Sequence, residues 1–371
     1  LAVKRILIAA VSARPFAETA KLSGYEAITL DIFADQDTRQ ASSQSFAVAY
    51  HDGGFDSVSF IETLSRLDLA DCIGAVYGSG FEQRTALLEV LADKLPLIGN
   101  SAGTVLKVKC PQQFFGLLDK LDISYPETRF KPPADMGGWL RKCAGGSGGT
   151  HITASASVKQ CDAEYYQKSV TGKPVSLLFA ADGKRIREIG FNLQHYVRLG
   201  EFPYCYAGAV SYWRLDDSVK ARIMDIAARL IAETGLVGLN SLDMMIDGRQ
   251  INVLEVNPRL TATVGLYQPL IGSMLDIHLR SVHGNLDDWP AFAQVSTAHR
   301  VVYADEDIEL PGDFAWPAWV KDIPGSKRFV MHAPVCSVFA EADDPEIAIA
   351  LADARVQEIK RNLKMEEGRL K

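Results

Sequence analysis

Leu242-Asp243-Met244-Met245-Ile246-Asp247-Gly248-Arg249-Gln250-Ile251-Asn252-Val253-Leu254-Glu255-Val256-Asn257-Pro258-Arg259 is the stretch on which the fold of this chain turns. Two apolar runs flank the turn pair Asp247-Gly248, so a hairpin is expected from Leu242 to Asn257. Side chains alternate faces along a strand, which sends Glu255 and Asn257 one way and Leu254 and Val256 into the core. Where Asp243 points depends on the loop. A two-residue Asp247-Gly248 loop pairs it with Asn252, on the wrong side. An odd loop such as Ile246-Asp247-Gly248, with Gly248 left-handed, pairs it with Ile251 on the side of Glu255.

A glutamate inside the apolar run 253–256 is costly without a partner. Two carboxylates, an amide oxygen and water suit a hard cation such as Mg²⁺, which also binds nucleotide phosphates. Arg259 adds a fixed fork of donors for a phosphoryl oxygen. The plain alternative is a polar sheet face with a surface Asp and Glu.

Upstream, Lys142 precedes Gly145-Gly146-Ser147-Gly148-Gly149. Glycines let a loop present several backbone N–H groups to phosphate oxygens, and a lysine adds a point charge. It is not a Walker loop, because the lysine comes first and no G-K-[ST] follows. Taken alone it reads equally as a flexible surface hairpin. Tyr165-Tyr166-Gln167-Lys168-Ser169-Val170-Thr171-Gly172 is a strand edge running into a glycine turn, able to hydrogen-bond a flat purine or to serve as an ordinary connector.

The N-terminal part alternates strand and helix. Arg5-Ile6-Leu7-Ile8-Ala9-Ala10-Val11 reads as a buried strand, a helix follows to Leu22, a second strand covers 27–31 and a third 73–77, and a helix is expected from about Phe81 to Ala92. That alternation predicts a parallel α/β sheet with ligands at the carboxyl ends of its strands. No GxGxxG follows the first strand, which disfavours a dinucleotide-binding domain. Asp31, Asp35 and Asp37 do not have EF-hand spacing and are expected to form an exposed acidic loop. Further along, helices are expected from Pro111 and from Asp217 or Ser218 to Gly235. A hairpin turns at Asp182-Gly183, and beyond about Pro290 the pattern is irregular up to a closing helix from Pro345 to about Leu363.

The chain has 371 residues, 47% hydrophobic and 23% charged, which suits two or three globular domains and excludes disordered, collagenous and coiled-coil classes. A net charge of −7 supplies no field for nucleic acid. No apolar run nears the roughly 18 residues of a membrane span, and the start Leu1-Ala2-Val3-Lys4-Arg5 does not read as a signal peptide, so a cytoplasmic protein without membrane contact is expected. The six cysteines (Cys72, Cys110, Cys143, Cys161, Cys205, Cys336) show no CxxC pair and are expected to be buried or incidental thiols. The seven histidines are dispersed, which gives a soft-metal site little support.

In their order and separation these elements resemble the ATP-grasp superfamily of carboxylate–amine and carboxylate–thiol ligases. The resemblance covers about residues 99–263, and the β-α-β start looks like the domain that precedes that fold. It implies an α/β architecture in four parts. Residues 1–103 would be the N-terminal parallel (pre-ATP-grasp) domain, and 104–168 the first part of the ATP-grasp fold, with a short glycine-rich lid at about 126–167. Residues 169–290 would be the metal- and phosphate-binding body, and 291–371 an extension packing on it. No helix is expected between Ile152 and Gln167.

The same resemblance implies ATP and two Mg²⁺ ions as cofactors, with Mn²⁺ as a substitute. Lys142 looks like the lid lysine on the nucleotide phosphates, Gly145 to Gly149 like the mobile lid loop, and Lys109 like a second nucleotide-binding lysine. Gln167 to Val170 look like the hinge segment that meets adenine, although Lys168 stands where an acidic residue is common. Asp243, Glu255 and Asn257 look like the metal ligands, with Glu255 bridging, and Arg259 like the arginine that stabilises an acyl phosphate. The expected partners are a small-molecule carboxylate and amine, and a homodimer is compatible with the reading. For substrate, Arg14 is a candidate carboxylate holder, and Tyr204 and Tyr206, with Gly208, candidate pocket walls.

Val11-Ser12-Ala13-Arg14-Pro15, Asp31-Ile32-Phe33-Ala34-Asp35-Gln36-Asp37-Thr38 and Tyr77-Gly78-Ser79-Gly80-Phe81-Glu82 further resemble a group of ATP-dependent ligases of methylotrophs and methanogens. That group is associated with pterin- and furan-type one-carbon cofactors. A kinase-like phosphotransferase and a non-catalytic ATP-binding regulator are the other functions these motifs could serve.

Overall fold

The computed structural model describes residues 4–154, 161, 163–311, 314–326 and 328–363. The N-terminal strands lie in the order Gln44–Ala47, Glu26–Asp31, Arg5–Ala9, Cys72–Tyr77, all parallel. Ile6, Leu7 and Ile8 are fully buried, as expected of a parallel strand covered on both faces. Helix Arg14–Leu22 begins with Pro15 in its first turn and packs Phe16, Ala17 and Ala20 on the sheet. The expected helix from Phe81 starts only at Ala86. Glu82 Oε2 accepts the N–H groups of Gly80 and Phe81 at 2.9 and 3.1 Å, which holds residues 80–82 as a loop.

The larger sheet is antiparallel and has eight strands. Their order is Gln250–Asn257, Val237–Asp247, Lys173–Asp182, Ile186–Leu199, Phe202–Val210, Ser296–Tyr303, Pro334–Ala342, Val320–Lys321. Alternation along Lys173–Asp182 divides its side chains between two cores. Val175, Leu177 and Phe179 meet Ile223 and Leu230 of helix Asp217–Thr234, while Leu178 and Ala180 join the cluster of Ile8, Phe16 and Leu275. The helix 217–234 stops at Gly235 with φ +70°, as the sequence predicts. Three strands come from the region expected to be irregular. Ser296, Thr297, His299 and Arg300 interrupt the apolar pattern of their strand, and the sheet supplies its neighbours from far along the chain.

Four short strands form a small antiparallel sheet in the order Thr128–Arg129, Glu164–Lys168, Trp139–Cys143, Ile152–Thr153. The described residues of 152–167 include two strands, and residues 155–160 and 162 of that stretch lie outside the described set. Cys143 and Cys161, expected to be thiols, are disulfide-bonded at 2.07 Å. A separation of 18 residues without a CxxC gives no local sign of this pairing; the lid sheet brings the two together. No helix among the described residues is long and apolar enough to cross a membrane.

Candidate active site

Neither loop considered for the central hairpin is the one that forms. Asp247 pairs with Gln250 around Gly248-Arg249, a register that by itself would set Asp243 opposite Leu254. A β-bulge between Asp243 and Met244 shifts the ladder so that Asp243 pairs with Glu255, and Ser241 with Asn257. The extra residue in one strand re-aims a side chain next to the site. Leu254, expected in the core, is the displaced residue and lines a cavity instead.

Asp243, Glu255 and Asn257 therefore share one face. Asn257 Nδ2 donates to Asp243 Oδ2 at 3.0 Å, and Ser241 Oγ donates to Asp243 Oδ1 at 2.9 Å. Lys109, at the end of helix Ala102–Lys109, donates from Nζ to Glu255 Oε2 at 2.8 Å and to Asn257 Oδ1 at 2.9 Å. Burial and the adjacent Glu255 push the Asp243 carboxyl up. Burial also works against the Glu255 carboxylate, but Lys109, His151 and Lys142 outweigh it and hold that group below the usual range.

Arg259 connects this face to the N-terminal domain. Its Nε donates to Glu82 Oε1 at 2.5 Å, NH1 to the Leu260 carbonyl at 3.1 Å and NH2 to Asn257 Oδ1 at 3.3 Å. Glu82 was not foreseen as a site residue. Only its membership of the 77–82 motif could have pointed to it, because its partner is 177 positions away.

The glycine loop of the small sheet lies against strand Phe202–Val210 of the large one. Gly148 O accepts the Tyr206 N–H at 2.9 Å. A Cβ on Gly149 would stand 1.7 Å from the Tyr204 carbonyl oxygen, and one on Gly145 2.7 Å from the Glu82 carbonyl oxygen. Both positions also have positive φ, so they need glycine twice over. Beneath the lid is a cavity of about 450 Å³ lined by Lys142, Gln167, Ser169, Val170, Asp243 and Glu255, among others. Lys142 Nζ donates to Gln167 Oε1 at 2.7 Å, and burial brings its ammonium down to about 8. The sequence-derived lid lysine, hinge and acidic face thus share one cavity.

A second cavity, about 470 Å³ and lined in part by Arg259, lies between the carboxyl ends of the N-terminal strands and the strands 296–303 and 334–342. Tyr206 lines it, whereas Tyr204 lines the first cavity, so the two tyrosines do not form one aromatic pocket. Arg14 also lines it but is not free to hold a carboxylate. Its Nε donates to Asp322 at 2.7 Å and NH1 to Glu18 at 2.8 Å. Asp31, Asp35 and Asp37 are buried, not exposed, because the segment around Asp322 and Ile323 folds over them.

The donors on the acidic face suit a hard cation. Asp243 and Glu255 are two carboxylates side by side, Asn257 adds an amide oxygen, and the Lys109 ammonium already binds two of the three. Among the described residues no group of three or more His, Cys, Asp or Glu is placed to hold a metal, so the amide oxygen belongs to any such set.

Residues 108–263 match the ATP-grasp domain family. The carbamoyl phosphate synthase large chain of Myxococcus xanthus is 26% identical over 197 residues, which are 46% of this chain and 18% of that protein. The chain spans less than a fifth of the length of the curated relatives it matches. The biotin carboxylase of Campylobacter jejuni, solved with a β,γ-ATP ligand, superposes with TM-score 0.73 at 14% identity, covering 99% of this chain and 96% of that one. The L-amino acid ligase of Bacillus licheniformis superposes with TM-score 0.69 at 10% identity, covering 96% and 97%.

Proposed function

We propose that this chain, whose residues 108–263 match the ATP-grasp domain family, is an ATP-dependent ligase joining a carboxylate to an amine through an acyl phosphate. The observation that carries the reading is the hydrogen-bonded set of Lys109, Asp243, Glu255, Asn257 and Arg259, of which Asp243 and Glu255 line one cavity and Arg259 the other. The cavity lined by Lys142, Gln167, Asp243 and Glu255 is the nucleotide site in this reading. The other can take an acid and an amine.

In this reading Lys142 and the glycine loop hold the ATP phosphates, with Gln167 and Val170 at the base. Asp243, Glu255 and Asn257 would hold Mg²⁺, which supplies charge neutralisation at the transferring phosphoryl group. The substrate carboxylate attacks the γ-phosphorus and ADP leaves. Arg259 uses three of its five N–H donors within the protein and offers the others to the acyl phosphate. The amine attacks the acyl carbon, the carbon–oxygen bond to phosphate breaks, and the closed lid keeps water from competing. The likeness of the 11–15, 31–38 and 77–82 stretches supports a role in one-carbon cofactor biosynthesis of the tetrahydromethanopterin or methanofuran type.

Incubation with ATP, Mg²⁺ and pools of acids and amines is expected to release ADP and phosphate only when both substrates are present. AMP with pyrophosphate would overturn the reading, as would full turnover by Glu255→Gln. ADP formation without an amine would indicate a phosphotransferase.

A further inference from the structure

Cys143 is the anchor of the glycine loop. Its N–H donates to the His151 carbonyl at 3.2 Å, its carbonyl accepts the Gly146 N–H at 3.3 Å, and its sulfur is bonded to Cys161. The next residue, Ala144, donates its N–H to the Ala163 carbonyl at 2.9 Å. The loop of Gly145 to Gly149 therefore leaves and returns at one point, and the disulfide ties that point to Cys161, just ahead of strand Glu164–Lys168. The loop borders both cavities. Lys142 and His151, on either side of it, line the first, and Gly148 lines the second.

The other restraints on the loop are single contacts. Strand Ile152–Thr153, which follows it, is an edge strand held by two residue pairs, Arg141 with Thr153 and Lys142 with Ile152. The loop meets the large sheet where the Tyr206 N–H donates to the Gly148 carbonyl and Gly149 approaches Tyr204, and it meets the N-terminal domain where Gly145 approaches the Glu82 carbonyl. A segment held by so few bonds opens locally at low cost once a covalent tie is removed. Among the described residues, neither Cys143 nor Cys161 belongs to a hydrophobic core cluster, so breaking their bond acts on the loop and leaves the cores intact. Both residues are half-buried, which leaves the sulfurs within reach of a small reductant.

We propose that the Cys143–Cys161 pair is a redox switch on nucleotide exchange. Bonded, it holds the glycine loop against strand Phe202–Val210 and slows release; reduced, it lets the loop open and nucleotide exchange faster. The proposal rests on reading the first cavity as the nucleotide site. A dithiol supplies the reduction. One of its thiolates attacks a sulfur of the pair, the other cysteine leaves and takes a proton, and the second thiol of the reductant breaks the mixed disulfide. The protein gains two electrons and two protons, held as the thiols of Cys143 and Cys161, and the dithiol becomes a disulfide.

The test uses the full chain, oxidised and then treated with dithiothreitol while folded. Alkylation in denaturant and mass spectrometry are expected to count four thiols before reduction, those of Cys72, Cys110, Cys205 and Cys336, and six after it. With a fluorescent ADP analogue and Mg²⁺, stopped-flow dissociation is expected to be about fivefold or more faster in the reduced chain and to slow again on re-oxidation. Cys161→Ser is expected to release the analogue at the reduced rate with or without dithiothreitol. Six thiols before reduction would overturn the proposal, as would equal dissociation rates in the two states or a dithiothreitol response that persists in Cys161→Ser. An analogue that binds neither state would overturn the nucleotide reading instead. Hydrogen exchange of residues 144–151 then decides the switch: faster exchange after reduction supports it, and unchanged exchange overturns it.

Discussion

Lys109 Nζ lies 2.8 Å from Glu255 Oε2 and 2.9 Å from Asn257 Oδ1, so an ammonium group binds the same oxygens that suit a divalent cation. Lys109→Met removes that charge and leaves Asp243 and Glu255 to repel each other. Breaking a fully buried pair costs about 3–5 kcal/mol, and about 2 kcal/mol is expected here because the Glu255 side chain is 36% exposed. Mg²⁺ is expected to raise the melting temperature of Lys109→Met more than that of the wild type. Equal shifts in a thermal melt would show that the two cations do not share oxygens.

Lys142 gives a pH signature. Its ammonium titrates near 8 when folded, against 10.5 in the unfolded chain, because it is buried. The unfolded state therefore binds more protons between about pH 8 and 10.5, and the destabilisation from this residue is relieved as pH rises through that window. In the proposed reading the charged form of Lys142 binds the nucleotide phosphates, so KM for ATP is expected to rise above pH 8. Lys142→Arg, whose charge does not titrate there, is expected to keep KM flat to pH 9. A rise in the arginine variant equal to that in the wild type would assign the effect to another group.

Glu82 orients Arg259 from the N-terminal domain, and both side chains are more than nine-tenths buried. Glu82→Gln is expected to lower stability by about 3 kcal/mol in urea denaturation. If it acts by positioning, kcat falls about tenfold or more while KM for ATP stays within about twofold. A double-mutant cycle with Arg259→Met should show strong coupling in kcat, and additive losses would remove Glu82 from the site.

The lid glycines separate two roles. Gly149→Ala places a methyl against the Tyr204 carbonyl, whereas a Cβ at Gly148 meets nothing within 4 Å, and both have positive φ. Gly149→Ala is expected to lower kcat/KM for ATP about tenfold or more, and Gly148→Ala, which carries backbone strain alone, clearly less. Equal effects from steady-state kinetics would mean that contact with strand Phe202–Val210 is unimportant.

Much of this site was legible in the chain because it is local. Glu255 and Asn257 share a face by strand alternation, and Lys142 with its glycines is contiguous. The bulge that aligns Asp243 was not, since a ladder shift depends on both strands and on what covers them. Arg14 suggested a carboxylate holder because Asp322, its partner, lies 308 residues away. The same remote segment turned the acidic loop of Asp35 and Asp37 into buried wall, and tertiary contact alone paired Cys143 with Cys161.

The antiparallel sheet that ends in residues 296–342 has a consequence for the order of synthesis. The first cavity needs nothing beyond Glu255, whereas the second needs residues from Val11 to Phe339. Domains tend to form as the chain emerges, N-terminal parts first. A nascent chain would thus hold every residue of the first cavity about 80 residues before the last of the second has emerged, so the Asp322–Arg14 pair and then strand Pro334–Ala342 are late to assemble.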